Sequence, residues 1–343
     1  MNDIFVTRRI PQAGLDLLQS SGVPFRVGET QDQHTLSRDR LLEEAGQAKV
    51  ILSLVTDQLD RAVLEAGPGL RGVAQFAVGY DNIDISAATA LGIPVSNTPG
   101  VLTEATADFA WALLMAVARQ VPQAHAYTVG GHFRTWGPNL FLGTDVGPGP
   151  DGRRKVLGIL GFGRIGAAVA RRAAGFDMVV LAHTPGSRER IEASPGVAWA
   201  EFSELLERSD FLSLNVPLRP ETHHIMDAEA FRRMKPSAFL VNTARGPVVD
   251  EAALVHALES GQIAGAALDV YEKEPEIHQG LLALPNVVLA PHIGSGSRDT
   301  RQRMAKLAAQ GAIHHFRGEA APHTVNPTVY QAGSWRARVQ DGG

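Results

Sequence analysis

Short apolar runs alternate with helically spaced ones from the first residues onward. Ile4–Val6, Pro24–Val27, Val50–Leu54, Gly72–Phe76 and Pro94–Ser96 are too short for helices and predict strands. Between them, Gly14–Ser20, Arg38–Ala45 and Asp60–Ala66 carry apolar residues at helical spacing. Strands that alternate with helices predict a parallel sheet. Thr103–Val117 predicts a helix that is apolar all round, with Thr103 as its N-cap and Glu104, Thr106 and Asp108 in its first turns. Such a helix belongs between layers or domains.

The pattern then breaks. Gly130–Gly152 is rich in Gly and Pro, includes Trp136 and Pro138, and predicts a loop and a boundary. A second β/α series follows: strand Val156–Leu160, helix Ile165–Ala174 and strand Met178–Ala182. Later strands are expected at Phe211–Asn215, Ala238–Asn242, Ala264–Asp269 and Val287–Ala290. A last helix over about Ser297 to Phe316 leads to a polar tail expected to be loose at its end. The fold class is α/β.

Composition acts mainly by exclusion. The chain has 343 residues, enough for two domains with their own cores, and is 44% hydrophobic and 20% charged. A net charge of −4 without long runs of one sign gives no surface for nucleic acid or an anionic membrane. The absence of cysteine excludes a disulfide framework and a thiol nucleophile, and suits a cytoplasmic setting. Neither a signal-peptide core nor a bilayer-length apolar run is present, and no metal-ligand spacing stands out.

Chemistry enters at Gly161-Phe162-Gly163-Arg164-Ile165-Gly166, between an apolar strand and an Ala-rich helix. The first glycine allows a tight turn, the second lets a pyrophosphate approach the backbone, and the third lets helix pack on strand. The helix N-terminus adds free N–H groups and a positive dipole end. Methyltransferase-like and purely structural uses share this pattern. An acidic residue normally ends the second strand, where it binds the adenosine ribose. Here Thr184 stands in its place, 18 residues past Gly166, followed by Ser187, Arg188 and Arg190. Hydroxyls and cations suit a 2′-phosphate, so NADP(H) is expected as the preferred cofactor with NAD(H) possible. A solvated basic turn is the plainer alternative.

Three later segments each place a reactive side chain at or beyond a strand end, where open α/β sheets bind ligands. They are Leu240-Val-Asn-Thr-Ala-Arg245, Ala267-Leu-Asp269-Val-Tyr-Glu-Lys-Glu274 and Leu289-Ala-Pro-His292. Singly, each reads as a surface cation, an acidic turn or a locally bonded histidine. Together, behind a dinucleotide loop, they suit hydride exchange between a nicotinamide and a 2-oxo or 2-hydroxy acid. Arg245 forks onto the substrate carboxylate. His292 gives or takes the alkoxide proton, Glu274 favours its imidazolium form, and Asp269 is a candidate acceptor for the carboxamide N–H of the cofactor.

These segments, with Phe76-Ala-Val-Gly-Tyr-Asp-Asn82 and Asn97-Thr-Pro-Gly-Val-Leu-Thr-Glu-Ala-Thr-Ala-Asp108, closely resemble the D-isomer-specific 2-hydroxyacid dehydrogenases over nearly the whole chain. Within that family the likeness is greatest to the glyoxylate/hydroxypyruvate reductase branch. The resemblance implies two Rossmann-like doubly wound domains. Residues 1–98 and 296–343 would form a split substrate domain, and residues 99–295 an inserted dinucleotide-binding domain. It also implies catalytic roles for Arg245, Glu274 and His292. Substrate contacts would come from the Val78 and Gly79 N–H groups, Leu54 and Ser295. Cofactor contacts would come from Thr106, Arg164, Ile165, Pro217, Thr222, Thr243, Asp269 and Gly294. A homodimer is implied, with Trp136 of Trp136-Gly-Pro138 reaching into the partner's substrate pocket.

The chain departs from the family in two places. An extra Pro-Gly-Pro-Asp-Gly152 stretch precedes the glycine loop, and Pro185-Gly186 replaces the branch's usual Ser-Arg pair. A 3-phosphoglycerate dehydrogenase would need cations for a substrate phosphate, yet Val50–Tyr80 holds only Arg61 and Arg71. A dinucleotide-sensing corepressor is the reading from another class, and the reactive set is compatible with it too.

Overall fold

The computed structural model describes residues 3–29, 34–331, 333 and 335. The expected loose tail lies outside them. The chain divides into two compact units, one formed by Met1–Leu102 with Gly296–Gly343 and the other by Thr103–Ser295.

Among the described residues, the first unit is built on five parallel strands: β1 (Ile4–Arg8), β2 (Phe25–Glu29), β3 (Val50–Ser53), β4 (Gly72–Gln75) and β5 (Val95–Ser96). Their order is β2-β1-β3-β4-β5, so the winding direction reverses between β1 and β3. The central strands are buried on both faces and carry apolar runs at Ile4–Val6, Val50–Leu52 and Val73–Ala74. Asp60 and Asp84 cap helices Arg61–Ala66 and Ile85–Ala90 by accepting from the N–H groups of Val63 and Ala87. Helix Arg298–Arg317 returns from the far end of the chain to pack on this sheet and on helix Gln12–Ser20. Gly72 makes room for it: a methyl there would lie 2.4 Å from the His315 ring.

The second unit carries seven parallel strands: β6 (Val156–Leu160), β7 (Val179–His183), β8 (Val197–Trp199), β9 (Phe211–Leu214), β10 (Phe239–Asn242), β11 (Gly265–Leu268) and β12 (Val287–Leu289). Their order, β12-β11-β10-β9-β6-β7-β8, reverses between β6 and β9, which makes the crevice beyond those two strand ends the ligand position of a doubly wound sheet. Helix Thr103–Ala118 packs on β10, β11, β12 and helix Arg164–Arg172. Its buried Trp111 stacks on Phe176 and donates to the Val169 carbonyl, 3.0 Å.

Two expectations need correction. Thr103 is the first helical residue of its helix rather than a residue before it. Gly130–Gly152 is a loop but not a domain boundary. It lies wholly inside the second unit, where the Thr144 N–H donates to Ala118 and Gly143 packs against the Ala118 carbonyl. Gly and Pro here punctuate a long connection. The units instead part at Leu102 and Thr103, where an apolar helix begins. Strand β8 and helix Val121–Val129 were not anticipated, the first because it is three residues long and only partly buried.

Candidate active site

At the reversal point of the second sheet, the glycines of the 161–166 loop answer to different close approaches. Gly161 has φ +96, and a methyl on it would sit 2.6 Å from the Asn215 carbonyl carbon. A methyl on Gly166 would sit 2.1 Å from the Gly161 oxygen. At Gly163, by contrast, a methyl meets no heavy atom within 4 Å, so this face of the loop is open to a ligand. Gly163 precedes helix Arg164–Arg172, whose first residues Arg164 and Ile165 offer their N–H groups outward. Phe162 is buried and anchors the loop in the core.

The neighbouring strand ends supply further polar atoms. After β9, Pro217 and Thr222 share one turn, closed by the Thr222 hydroxyl donating to the Pro217 carbonyl at 2.7 Å. The Asn215 Oδ1 and Thr243 Oγ1 atoms, beyond β9 and β10, are buried with no hydrogen-bond partner among the described residues. Buried polar atoms rarely stay unpaired. An open glycine face, a helix N-terminus and two orphaned oxygens at a sheet reversal fit a dinucleotide.

Beyond β7 the structure departs from expectation. Thr184 Oγ1 accepts from the Phe162 N–H and donates to the His183 carbonyl, so it holds the glycine loop. Arg188 pairs with Glu192 at 2.8 Å and lies over the Trp199 ring, 4.6 Å from its centroid. Both members of that pair are well exposed, so the pairing is weak. The cation that reaches the loop is Arg190, which donates to the Phe162 carbonyl at 2.5 Å.

The three reactive side chains come from adjacent strands. Arg245 follows β10, Glu274 follows β11 and His292 follows β12. His292 Nδ1 lies 2.8 Å from Glu274 Oε2, each side chain about one-third exposed. The other Glu274 oxygen accepts from the Tyr271 N–H at 3.0 Å, which fixes the carboxylate plane. Arg245 leads into the turn Gly246–Val248, and Asn242 fixes that turn by donating to the Arg245 carbonyl at 2.9 Å.

Asp269 holds the loop that carries His292. Its carboxylate accepts from the Ile293 and Gly294 N–H groups, 2.7 and 2.6 Å, and its carbonyl accepts from the His292 N–H at 2.8 Å. Both oxygens are thereby engaged in holding the His292 loop, and burial pushes the carboxyl above its usual range. His292 itself adopts φ +55, a left-handed conformation that such a grip maintains. Gly294 lies against Asp269 and Thr106, and Ser295 follows at the end of the unit.

The first unit orients its own strand-end loops. The Ala77 carbonyl accepts from the Thr98 N–H (2.9 Å), and the Val78 carbonyl from Asn97 Nδ2 (2.7 Å). In a trans peptide, C=O and N–H point opposite ways. The Val78 and Gly79 N–H groups therefore face away from those contacts, and neither has an acceptor among the described residues. Behind them, Gln75 donates to Asn82 Oδ1 (2.7 Å) and the Gly79 carbonyl (3.3 Å) while accepting from Ser53 (2.6 Å). Asn82 in turn donates to the Leu54 and Asp57 carbonyls, 3.2 and 2.7 Å. Sequence reasoning missed this network. Its one signal was Gln75, a lone amide in an apolar strand.

Residues 111–294 match the family model for the NAD binding domain of D-isomer specific 2-hydroxyacid dehydrogenases. The chain belongs to this family. It is 50% identical over 328 residues to the glyoxylate reductase of Korarchaeum cryptofilum, covering 95% of this chain and 96% of that protein. A Thermus thermophilus protein of known structure is 41% identical with a TM-score of 0.85, covering 95% and 100% of the two chains. The NADPH-dependent glyoxylate/hydroxypyruvate reductase of Sinorhizobium meliloti, solved with NADP and malonate, is 34% identical with a TM-score of 0.80, covering 95% and 97%. As a 2-hydroxyacid dehydrogenase the chain is an NAD(P)-dependent oxidoreductase with a Rossmann-type dinucleotide domain.

Trp136 is 76% exposed, on the loop that follows helix Val121–Val129. Val121, Val129, Phe133 and Leu142 on the same stretch are each more than half exposed. Among the described residues, no helix is long and apolar enough to cross a membrane, and no cluster of three or more His, Asp or Glu side chains could hold a metal ion.

Proposed function

We propose that this dehydrogenase reduces glyoxylate or hydroxypyruvate to the corresponding 2-hydroxy acid, of D configuration where the carbon is chiral, with NADP(H) as its preferred dinucleotide. The observation that carries the reading is the Glu274–His292 pair beside the Arg245 turn on adjacent strand ends. The substrate names come from the relatives, a glyoxylate reductase at 50% identity and a glyoxylate/hydroxypyruvate reductase at 34%.

Arg245 binds the carboxylate of the 2-oxo acid through two parallel N–H bonds and polarises the adjacent carbonyl. The Val78 and Gly79 N–H groups and Leu54 of the first unit are proposed as further substrate contacts. His292 Nε2, the ring nitrogen that Glu274 does not engage, delivers the proton to the developing alkoxide and recovers it in oxidation. Glu274 fixes the tautomer that makes this possible. A bound nicotinamide dinucleotide supplies the hydride. It would be held by the Gly161–Gly166 loop, the Pro217–Thr222 turn, Thr106, Thr243 and Gly294.

The preference for NADP(H) rests on Thr184 standing where an acidic ribose ligand is expected, which removes a charge that would repel a 2′-phosphate. Arg188, once released from its exposed pair, and Arg190 are the cations available to that phosphate. We also assign the exposed apolar set around Trp136 to a second copy of the chain, whose substrate pocket Trp136 caps. Initial rates with glyoxylate, hydroxypyruvate, pyruvate and phosphohydroxypyruvate, each with NADPH and NADH, test the whole reading. Phosphohydroxypyruvate as the best substrate overturns the substrate assignment. Equal kcat/KM for the two dinucleotides overturns the cofactor assignment, and a preference that survives both Arg188→Ala and Arg190→Ala overturns the role of this turn in reading the phosphate.

A further inference from the structure

The loop after β11 carries Glu272, Glu274 and Glu276, and Glu274 pairs with His292. Glu272 instead faces His224, which the reaction does not use. We propose that His224 and Glu272 are a positioning couple that sets the spacing between the Arg245 turn and the Glu274–His292 pair. The inference rests on the assignment of those three side chains to the reaction.

His224 touches both loops at once. Its backbone N–H donates to the Pro247 carbonyl, 2.9 Å, two residues beyond Arg245. Its Nε2 lies 3.0 Å from Glu272 Oε1, two residues before Glu274. The residue holds φ +51, a conformation unfavourable to any side chain with a Cβ and kept only where surrounding bonds impose it. Both side chains of the couple are partly buried, at 32% and 25% exposure, which sets them apart from the exposed ion pairs elsewhere on the surface.

Glu272 is fixed from its other side as well. Its second oxygen accepts from the Glu251 N–H at 3.3 Å, and its own N–H donates to Glu251 Oε1 at 2.8 Å. This reciprocal pair ties the loop to the start of helix Glu251–Glu259. Burial, with Glu272 close by, holds the Glu251 carboxyl above its usual range. The imidazole thus donates into a place already crowded with carboxylate oxygen. The two loops also have no slack between them. A methyl on Gly246 would fall 1.8 Å from the Tyr271 carbonyl, so a shift of one loop moves the other.

The test measures kcat and KM for glyoxylate, together with the NADPH dissociation constant by fluorescence titration, in the full-length protein. His224→Ala and Glu272→Ala each lower kcat/KM about ten- to a hundredfold, the scale of a displacement of about 1 Å in a reacting group. NADPH affinity stays within about twofold, because the Gly161–Gly166 loop lies at the end of β6 and the Pro217–Thr222 turn is closed by its own Thr222 hydroxyl. The double variant loses no more than the worse single one, since the pair acts as a unit. His224→Gln, which keeps a donor near the Nε2 position, recovers most of the loss. Glu272→Gln gives an intermediate loss and serves if an alanine variant fails to fold. A kcat/KM within twofold of the parent in His224→Ala or Glu272→Gln overturns the couple, as do additive losses or an equal loss of NADPH affinity. His292→Ala measured beside them separates the two levels. Turnover retained there overturns the underlying assignment, whereas turnover lost there and retained in His224→Ala overturns the couple alone.

Discussion

At the ends of β3 and β4, the first unit works with amides and hydroxyls. Ser53, Gln75 and Asn82 are buried, bonded to one another and unable to titrate, and their carboxyl neighbour Asp57 is pushed above its usual range by burial. At the ends of β10, β11 and β12, the second unit instead places Arg245, Glu274 and His292, a permanent cation and an ion-pairing couple in reach of water. The contrast fits the two tasks proposed for these ends, binding the substrate carboxylate and passing a proton. Holding an anion that does not change needs donors of fixed direction, which buried amides provide at any pH. Passing a proton needs a group that can exist in two states and exchange with solvent. One sheet end is built for constancy and the other for change.

The largest effect should come from removing the group that changes. His292→Ala is expected to lower kcat for glyoxylate reduction by about 10²–10⁴-fold, with NADPH binding retained. Stopped-flow rates and fluorescence titration check this, and near-parent turnover would erase the contrast between the two sheet ends. Next is Arg245→Lys, which keeps the charge but loses the fork. Charge-assisted bonds of roughly 1.5–3 kcal/mol predict a ten- to hundredfold fall in kcat/KM. A lysine variant equal to the parent would reduce Arg245 to an electrostatic neighbour.

Gln75→Leu tests the constant end. It removes the partner of the Ser53 hydroxyl, the Asn82 Oδ1 and the Gly79 carbonyl, and should raise KM for glyoxylate about tenfold, with kcat and its pH profile unmoved. A displaced pH profile would mean that the amide network also takes part in proton transfer. The smallest effect concerns stability. Burial depresses the His315 pKa to about 3, so the folded chain binds fewer protons there than the unfolded chain once the pH falls below 6.5. Stability from this group is complete above pH 6.5 and is lost as the pH falls toward 3, with roughly 1 kcal/mol gone by pH 5.5. Denaturant titrations at pH 7.5 and 5.5 should show that slope in the parent and a flatter one in His315→Gln.

Much of the second sheet was legible from the residues. Strand β6 was expected over the bounds observed, because a buried parallel strand is an unbroken apolar run. The glycine loop and the Arg245, Glu274 and His292 segments were recognisable because each follows such a run. The grip of Asp269 on the His292 loop was not legible, since its partners Ile293 and Gly294 lie 24 and 25 residues away. Arg190 was passed over for Arg188 because sequence cannot show which of two cations turns inward on a five-residue helix. The amide network was hidden for a related reason. Gln75, Asn82 and Asn97 acquire meaning only when β4 and its neighbours align their ends.

The grip of Asp269 on the segment that follows it has one more consequence. The bonds that shape residues 292–294 run from backbone N–H groups to Asp269, and none of them uses the imidazole. The histidine is seated in a socket that does not depend on its occupant. Shortening the side chain in His292→Ala would leave that socket standing, open toward Glu274. A small imidazole supplied from solution would meet a carboxylate already locked by the Tyr271 N–H. Chemical complementation of the alanine variant, rising with imidazole concentration and saturating, is the behaviour that a preformed seat entails.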